Sequence, residues 1–257
     1  MKRLSLFLLL FCVVTLSYSQ NGNSTNPTNP KEQFELGERL RQNGKYIDAI
    51  HWFKKAANQG NAEAQYNLGI IYSNGYGVPQ DNKTAAEWYK KAAENNHGFA
   101  QTNLAVLYEQ GSGVEQSYSK AAYWYKKAAE NGDPNAQVMI GNYIEQGKGG
   151  MTVDFKQSVY WFQKAADQGD ARGQCNLGSC YHEGRGVEQN MTKAVYWLRK
   201  SANQDWADAQ FLLALCYANG DGVELDLDES IRLLIKSARN GSPKAIQVLN
   251  DYMNDNK

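Results

Sequence analysis

From Phe34 onward the apolar positions recur in blocks separated by polar stretches. Trp52, Trp88, Trp124, Trp161 and Trp197 stand 36 or 37 residues apart, and Leu233 continues the series. The next position is always large and apolar (Phe53, Tyr89, Tyr125, Phe162, Leu198, Leu234). A small residue follows about one turn on (Ala56, Ala92, Ala128, Ala165, Ser201, Ser237). A second register lies upstream at Leu68, Leu104, Ile140, Leu177 and Leu213. Each of these precedes a Gly or Ala, and Tyr72, Tyr108, Ile144, Tyr181 or Tyr217 comes four positions after it. Residues four apart share one face of a helix. The pattern therefore predicts two amphipathic helices per unit. In the first full unit helix A covers 62–73 and helix B covers 82–94, with Ala85, Trp88, Tyr89 and Ala92 as the buried stripe of B. The small residue after Leu lets the partner helix approach closely.

The connection repeats too, as Gly75-Tyr76-Gly77-Val78, Gly111-Ser112-Gly113-Val114, Gly184-Arg185-Gly186-Val187 and Gly220-Asp221-Gly222-Val223. The first Gly sits where helix A must stop, a place that favours a left-handed residue. The second permits a tight reversal. Asp81, Ser117, Asp154, Asn190 and Asp226 then read as N-caps of helix B. One connection, Gly147 to Val153, carries an extra residue, which predicts a local loop distortion without loss of the array.

The recurring pattern A-x-x-x-L-G-x-x-Y-x-x-G-x-G-V, followed by A-x-x-W-Y-x-K-A-A, resembles the Sel-one-like repeat, a relative of the tetratricopeptide repeat. It is seen from Ala64-Gln65-Tyr66-Asn67-Leu68-Gly69 through Trp88-Tyr89-Lys90-Lys91-Ala92-Ala93. Five units carry it, at about 61–96, 97–132, 133–169, 170–205 and 206–241. Residues 31–60 resemble a plain tetratricopeptide unit without the GxGV loop. Residues 242–257 read as a C-terminal capping helix with a polar outer face, since a stack otherwise exposes a core face. The resemblance implies an all-α, right-handed α-solenoid that serves as a non-enzymatic protein-binding scaffold, its partner a protein or peptide.

A stack of hairpins has a continuous core and an extended concave surface. Projection of helix A from Leu68 and Tyr72 puts Tyr66, Ile70, Phe99, Thr102, Val106, Val138, Asn142, Arg172, Ser179, Phe211 and Leu215 on that inner face. Glu63, Ser73, Glu109, Glu145, Cys175 and His182 fall there as well. Such a face can hold an extended peptide or a helix. Tyr66, Val106, Val138 and Phe211 suit packing between units equally well, and both readings stand at this point.

The N-terminus has a different character. Met1-Lys2-Arg3 is basic, Leu4 to Leu16 is mostly apolar, and Ser17-Tyr18-Ser19 offers small residues before a cut at Gln20. This predicts a signal peptide over 1–19 and an exported protein, periplasmic or secreted. The apolar run is shorter than the ~20 residues of a membrane span, so no integral membrane segment is expected after cleavage. Residues 20–30, rich in Asn and Pro, read as a flexible spacer.

Composition narrows the function classes. Lys+Arg and Asp+Glu are balanced at 27 each, unlike the basic surface of a nucleic-acid binder. No polybasic patch points to a membrane surface. Ser117-Tyr118-Ser119-Lys120 matches the S-x-x-K of penicillin-recognising enzymes. Cysteine-rich relatives with this repeat are described as binding or hydrolysing β-lactams, so an envelope β-lactam or peptidoglycan-fragment binder is the alternative reading. The partner motifs S-D-N and K-T-G are missing, however, and capping explains Ser117. No phosphate-loop fingerprint occurs, and His51, His97 and His182 lie in separate units, so neither cofactor nor metal is expected. Cys180 and Cys216 occupy the same place in adjacent units, which leaves a disulfide or two buried thiols as alternatives.

Overall fold

A computed structural model of the 257-residue chain describes residues 27–255. The predicted leader, 1–19, and residues 20–26 of the spacer lie outside the described residues. Among the described residues there are thirteen α-helices and no strand. Unit 1 holds α1 (Pro30–Gln42) and α2 (Tyr46–Asn58), and unit 2 holds α3 (Ala62–Asn74) and α4 (Asn82–Glu94). Unit 3 holds α5 (Gly98–Gln110) and α6 (Tyr118–Glu130), and unit 4 holds α7 (Pro134–Gln146) and α8 (Phe155–Asp167). Unit 5 holds α9 (Ala171–Glu183) and α10 (Met191–Ala202), unit 6 holds α11 (Ala207–Asn219) and α12 (Leu227–Arg239), and α13 (Pro243–Asp255) follows. Odd-numbered helices are of type A, even-numbered of type B. Each helix packs chiefly on its neighbours in sequence, so the units stack in chain order as an α-solenoid.

Local chemistry sets the helix ends. Asp81, Ser117, Asp154, Asn190 and Asp226 each accept a hydrogen bond from a backbone N–H in the first turn of helix B. Gly111 ends α5 in the left-handed region, at φ 69°. The second loop glycine has a further role. A Cβ on Gly113 would lie 2.2 Å from the backbone carbon of Asn82, at the start of helix B one unit earlier. Gly149, Gly186 and Gly222 press in the same way on Tyr118, Phe155 and Met191. Each reversal is thus also the joint on which a unit leans against its predecessor. The extra residue in unit 4 is absorbed by a 3-10 turn at Lys148–Gly150, and the stack continues. Residues 27–30 of the predicted spacer join the fold: Asn29 caps α1, and the Gln33 amide donates to the carbonyls of Pro27 and Thr28.

Inside each unit a large side chain of helix B lies on the glycine of helix A. A Cβ on Gly69 would meet the Tyr89 ring at 2.4 Å, one on Gly141 the Phe162 ring at 2.5 Å, and one on Gly178 the Leu198 side chain at 2.8 Å. The tryptophans depart from the predicted stripe. Tyr89 is buried, whereas Trp88 is half-buried and packs on the core of units 1 and 2. Adjacent residues on a helix point ~100° apart, so one ring faces helix A and the other covers the seam between units.

The sequence pattern did not point to a polar ladder that runs the length of the core. Gln65, Gln101, Gln137, Gln174 and Gln210 are all buried. Each side-chain amide donates to the carbonyl of Ala57, Ala93, Ala129, Ala166 or Ala202, at the end of the preceding helix B. Each side-chain oxygen accepts from Asn95, Asn131, Gln168, Gln204 or Asn240, just past the following helix B. One glutamine therefore ties together the ends of two successive B helices. The C-terminal helix ends the ladder. Ile246 stands in the ladder position and is exposed, as are Val248 and Tyr252, so that among its described side chains the exposed surface of α13 mixes these apolar residues with Lys244, Gln247, Asn250 and Asp251.

Candidate functional site

The predicted inner face resolves into four columns with different work. The first is the rim: Glu63, Phe99, Asn135, Arg172 and Asp208, near the start of each A helix. All but Arg172 are exposed, and Arg172 is held by Asp170 (2.9 Å) and by the Asn135 side chain. The second column is a joint and not a groove lining. Tyr66 stacks on His97 of the next unit (ring centroids 4.4 Å). Thr102 donates to Asp133 of the next unit at 2.6 Å. Val138 and Cys175 are buried in the core, at 3% and 5% exposure. Val138 is thus corrected from a partner-binding candidate to a packing residue, while Phe211 is half-buried, as Tyr66 is. The cause is that adjacent A helices converge here, so this position faces the start of the next A helix.

The third column does line the groove. Ile70, Val106, Asn142 and Ser179 are half-buried and Leu215 is exposed. Between α3 and α5 this column opens a cavity of about 400 Å³, bordered by Ile70, Ser73, Asn103, Val106, Leu107 and Gln110. Asn103, missed in the sequence reading, lies beside the hydroxyls of Tyr66 and Tyr89. Burial pushes the Tyr89 hydroxyl up to about 12, so it remains a neutral donor at ordinary pH. Further along, the Asn176 amide donates to Asn142 at 3.2 Å. The column thus combines an apolar floor with side-chain amides able to pair with a polypeptide backbone.

The fourth column locks successive units. Glu109 accepts from Lys148 (2.7 Å) and from the Tyr125 hydroxyl (2.9 Å). Glu145 pairs with Arg185, and His182 lies 3.8 Å from Asp221. Lys148, Arg185 and Asp221 are each the middle residue of the next unit's G-x-G loop. Burial pushes the Glu109 carboxyl up, but the bonds from Lys148 and Tyr125 outweigh it and hold its pKa below the usual 4.5. A carboxylate with a depressed folded-state pKa stabilises above its unfolded pKa, and that stability is lost as pH falls through the folded value. Glu109→Gln should therefore lower stability by about 1 kcal/mol at neutral pH. The gap to the parent, followed by thermal melts from neutral to acid pH, should stay level above the ordinary carboxylate range and close below it. A gap unchanged at acid pH would show that the charge has no part.

Ser117 and Lys120 do not assemble as nucleophile and base. The Ser117 hydroxyl accepts from the Lys120 backbone N–H, while the Lys120 ammonium sits over the Tyr108 ring, 5.3 Å from its centroid. Cys175, Cys180 and Cys216 are free and buried. Burial raises the thiols of Cys175 and Cys180 to about 12 and that of Cys216 to about 11, far from the thiolate a reactive cysteine needs. Among the described residues no group of three or more His, Cys, Asp or Glu converges as a metal site would, and no helix is long and apolar enough to cross a membrane.

Stacked helical hairpins with glycine reversals, a ladder of interior amides and a groove lined by A helices define a tetratricopeptide-like α-solenoid. Within that class the chain belongs to the Sel1 repeat family. The family model matches residues 33–61, 62–97, 98–133, 134–170, 171–206 and 207–242, so the loop-less first unit is included. A Sel1 repeat protein from Oxalobacter formigenes is 33% identical and superposes with a TM-score of 0.78, over 84% of this chain and 88% of that one. A protective antigen of uropathogenic Escherichia coli strains with the same fold is 39% identical, with a TM-score of 0.77 over 85% of this chain. The chain spans 47% of that antigen's length. HcpE of Helicobacter pylori, provisionally named a beta-lactamase, is 48% identical over 46 residues, which is 18% of this chain and 13% of HcpE.

Proposed function

We propose that this Sel1 repeat protein is an exported, non-enzymatic scaffold that holds a polypeptide partner along its concave groove. The observation that carries the reading is the cavity between α3 and α5, where Ile70, Val106 and Leu107 supply an apolar floor and Ser73, Asn103 and Gln110 supply polar groups at its border. An extended chain or one face of a helix has this mixture of apolar side chains and backbone polar groups. Sel1 repeats generally serve protein interaction, which agrees with it. Export rests on the basic, apolar and small-residue succession of residues 1–19. The match to HcpE covers too little of either chain to bring an activity with it.

A photo-crosslinking residue at Val106, compared with one at the exposed Tyr160 of helix B, tests the groove. Adducts to a discrete polypeptide are expected at Val106 and not at Tyr160, and Ile70→Glu should abolish them while helical content is kept. Equal labelling at both positions, or adducts indifferent to Ile70→Glu, would show that the groove is not the binding surface.

A further inference from the structure

At the joint of units 2 and 3 the rim departs from the other units. Phe99 stands where Glu63, Asn135, Arg172 and Asp208 stand elsewhere, and 60% of it is exposed. His97 replaces the Asn or Asp that caps α3, α7 and α9. Its Nδ1 accepts from the Ala100 backbone N–H at 3.2 Å, which leaves Nε2 to carry the proton in the neutral ring. That nitrogen lies 3.3 Å from the Glu63 carboxylate. Tyr66 stacks on the other side of His97, and the Phe99 centroid lies 6.2 Å from each of these two rings. His97, Phe99 and the exposed Glu63 carboxylate line a cavity of about 760 Å³, with the Tyr66 ring stacked on His97 behind them. The charged groups lining this cavity, Glu63 and Asp133, are both acidic.

Among the described residues the protein supplies its own cation at ten other rings, though not at the exposed Tyr76, Tyr123 or Phe155. Lysines lie over Trp52, Tyr72, Trp88, Tyr108, Tyr118, Tyr143, Tyr160, Tyr181, Tyr196 and Trp197. Among the described residues none lies over Tyr66, His97 or Phe99. A planar cation stacks on an exposed ring while its edge pairs with a neighbouring carboxylate, and the guanidinium does both at once. We infer that Phe99 and Glu63, beside His97, receive an arginine side chain of the polypeptide held in the groove, with the guanidinium against Phe99 and paired with Glu63. The inference rests on the groove reading and adds the chemistry of the partner to it.

The test is an amide-resolved NMR titration of the full chain with N-acetyl-L-arginine amide. Its lysine counterpart and the neutral isostere N-acetyl-L-citrulline amide serve as comparisons. Shifts are expected at residues 63 and 97–99, stronger for arginine than for lysine and lost with citrulline. Glu63→Gln should weaken binding about tenfold, the scale of a charge-assisted hydrogen bond. Phe99→Ala should weaken it about threefold, the scale of an exposed cation–π contact. Binding equally strong to the citrulline amide, shifts elsewhere only, or full affinity in Glu63→Gln would overturn the assignment. If adducts at Val106 persist while the arginine probe fails, the groove stands and only this inference falls.

Discussion

Gln101→Ala should be among the most destabilising single substitutions in this protein, with a loss of about 3 kcal/mol. Gln101 is 1% exposed, donates to the Ala93 carbonyl at 3.1 Å and accepts from Asn131 at 2.9 Å. Its removal takes away both of these side-chain hydrogen bonds, leaving the Ala93 carbonyl with the Asn96 backbone N–H at 3.1 Å, and opens a void that adds to the loss. Gln101→Met keeps most of the volume and isolates the hydrogen-bond part, so its loss should be smaller but still about 1–3 kcal/mol. The stability of a stack is approximately a sum of unit and interface contributions. The ladder bridges that interface, so urea unfolding should shift to a lower midpoint and also become shallower as the two halves uncouple. Gln33→Ala should cost less, because Thr28, one of the carbonyls it reaches, is exposed to water. A Gln101→Met protein as stable as the parent would mean that the ladder is incidental.

The two glycines of one loop should behave very differently. Gly111 and Gly113 both have positive φ, at 69° and 73°. A Cβ on Gly111 would come no closer than 3.1 Å to the Gln116 side chain, whereas one on Gly113 would sit 2.2 Å from the Asn82 backbone. Gly111→Ala therefore carries mainly the left-handed penalty, about 1–2 kcal/mol. Gly113→Ala adds a collision with backbone that has no rotamer to escape into, and should cost at least ~3 kcal/mol. Chemical denaturation of the two variants side by side checks the difference. Equal losses would remove the second glycine from its role as the joint between units.

Much of this architecture was legible because it follows from short-range rules repeated in register. An Asp, Ser or Asn one residue before helix B caps it wherever it occurs, and all five such residues do so. The loop glycines were legible as turns, but the contact of Gly113 with Asn82 was not, since the two residues meet only when the units stack. The glutamine ladder was overlooked because a lone Gln in a helix is normally a solvated residue. Its recurrence at 65, 101, 137, 174 and 210 was the available signal.

The candidate site divides in the same way. A projection about one helix axis treats Tyr66 and Ile70 as equals, four residues apart on one face. The neighbouring A helix breaks that equality. It stacks His97 on Tyr66, while Val138 and Cys175 in the same column are buried, and Ile70 and Val106 are left half-buried and Leu215 exposed. The repeat length, the two helices of each unit, their caps and reversals, and the family all follow from residues within reach of one another along the chain. Which inner-face residues stay accessible, which glutamine meets which carbonyl, and how His97 and Phe99 come beside Tyr66 depend on the distance and angle between successive units. Packing between units sets that geometry, and contacts some thirty residues apart leave little trace in the pattern of any single helix.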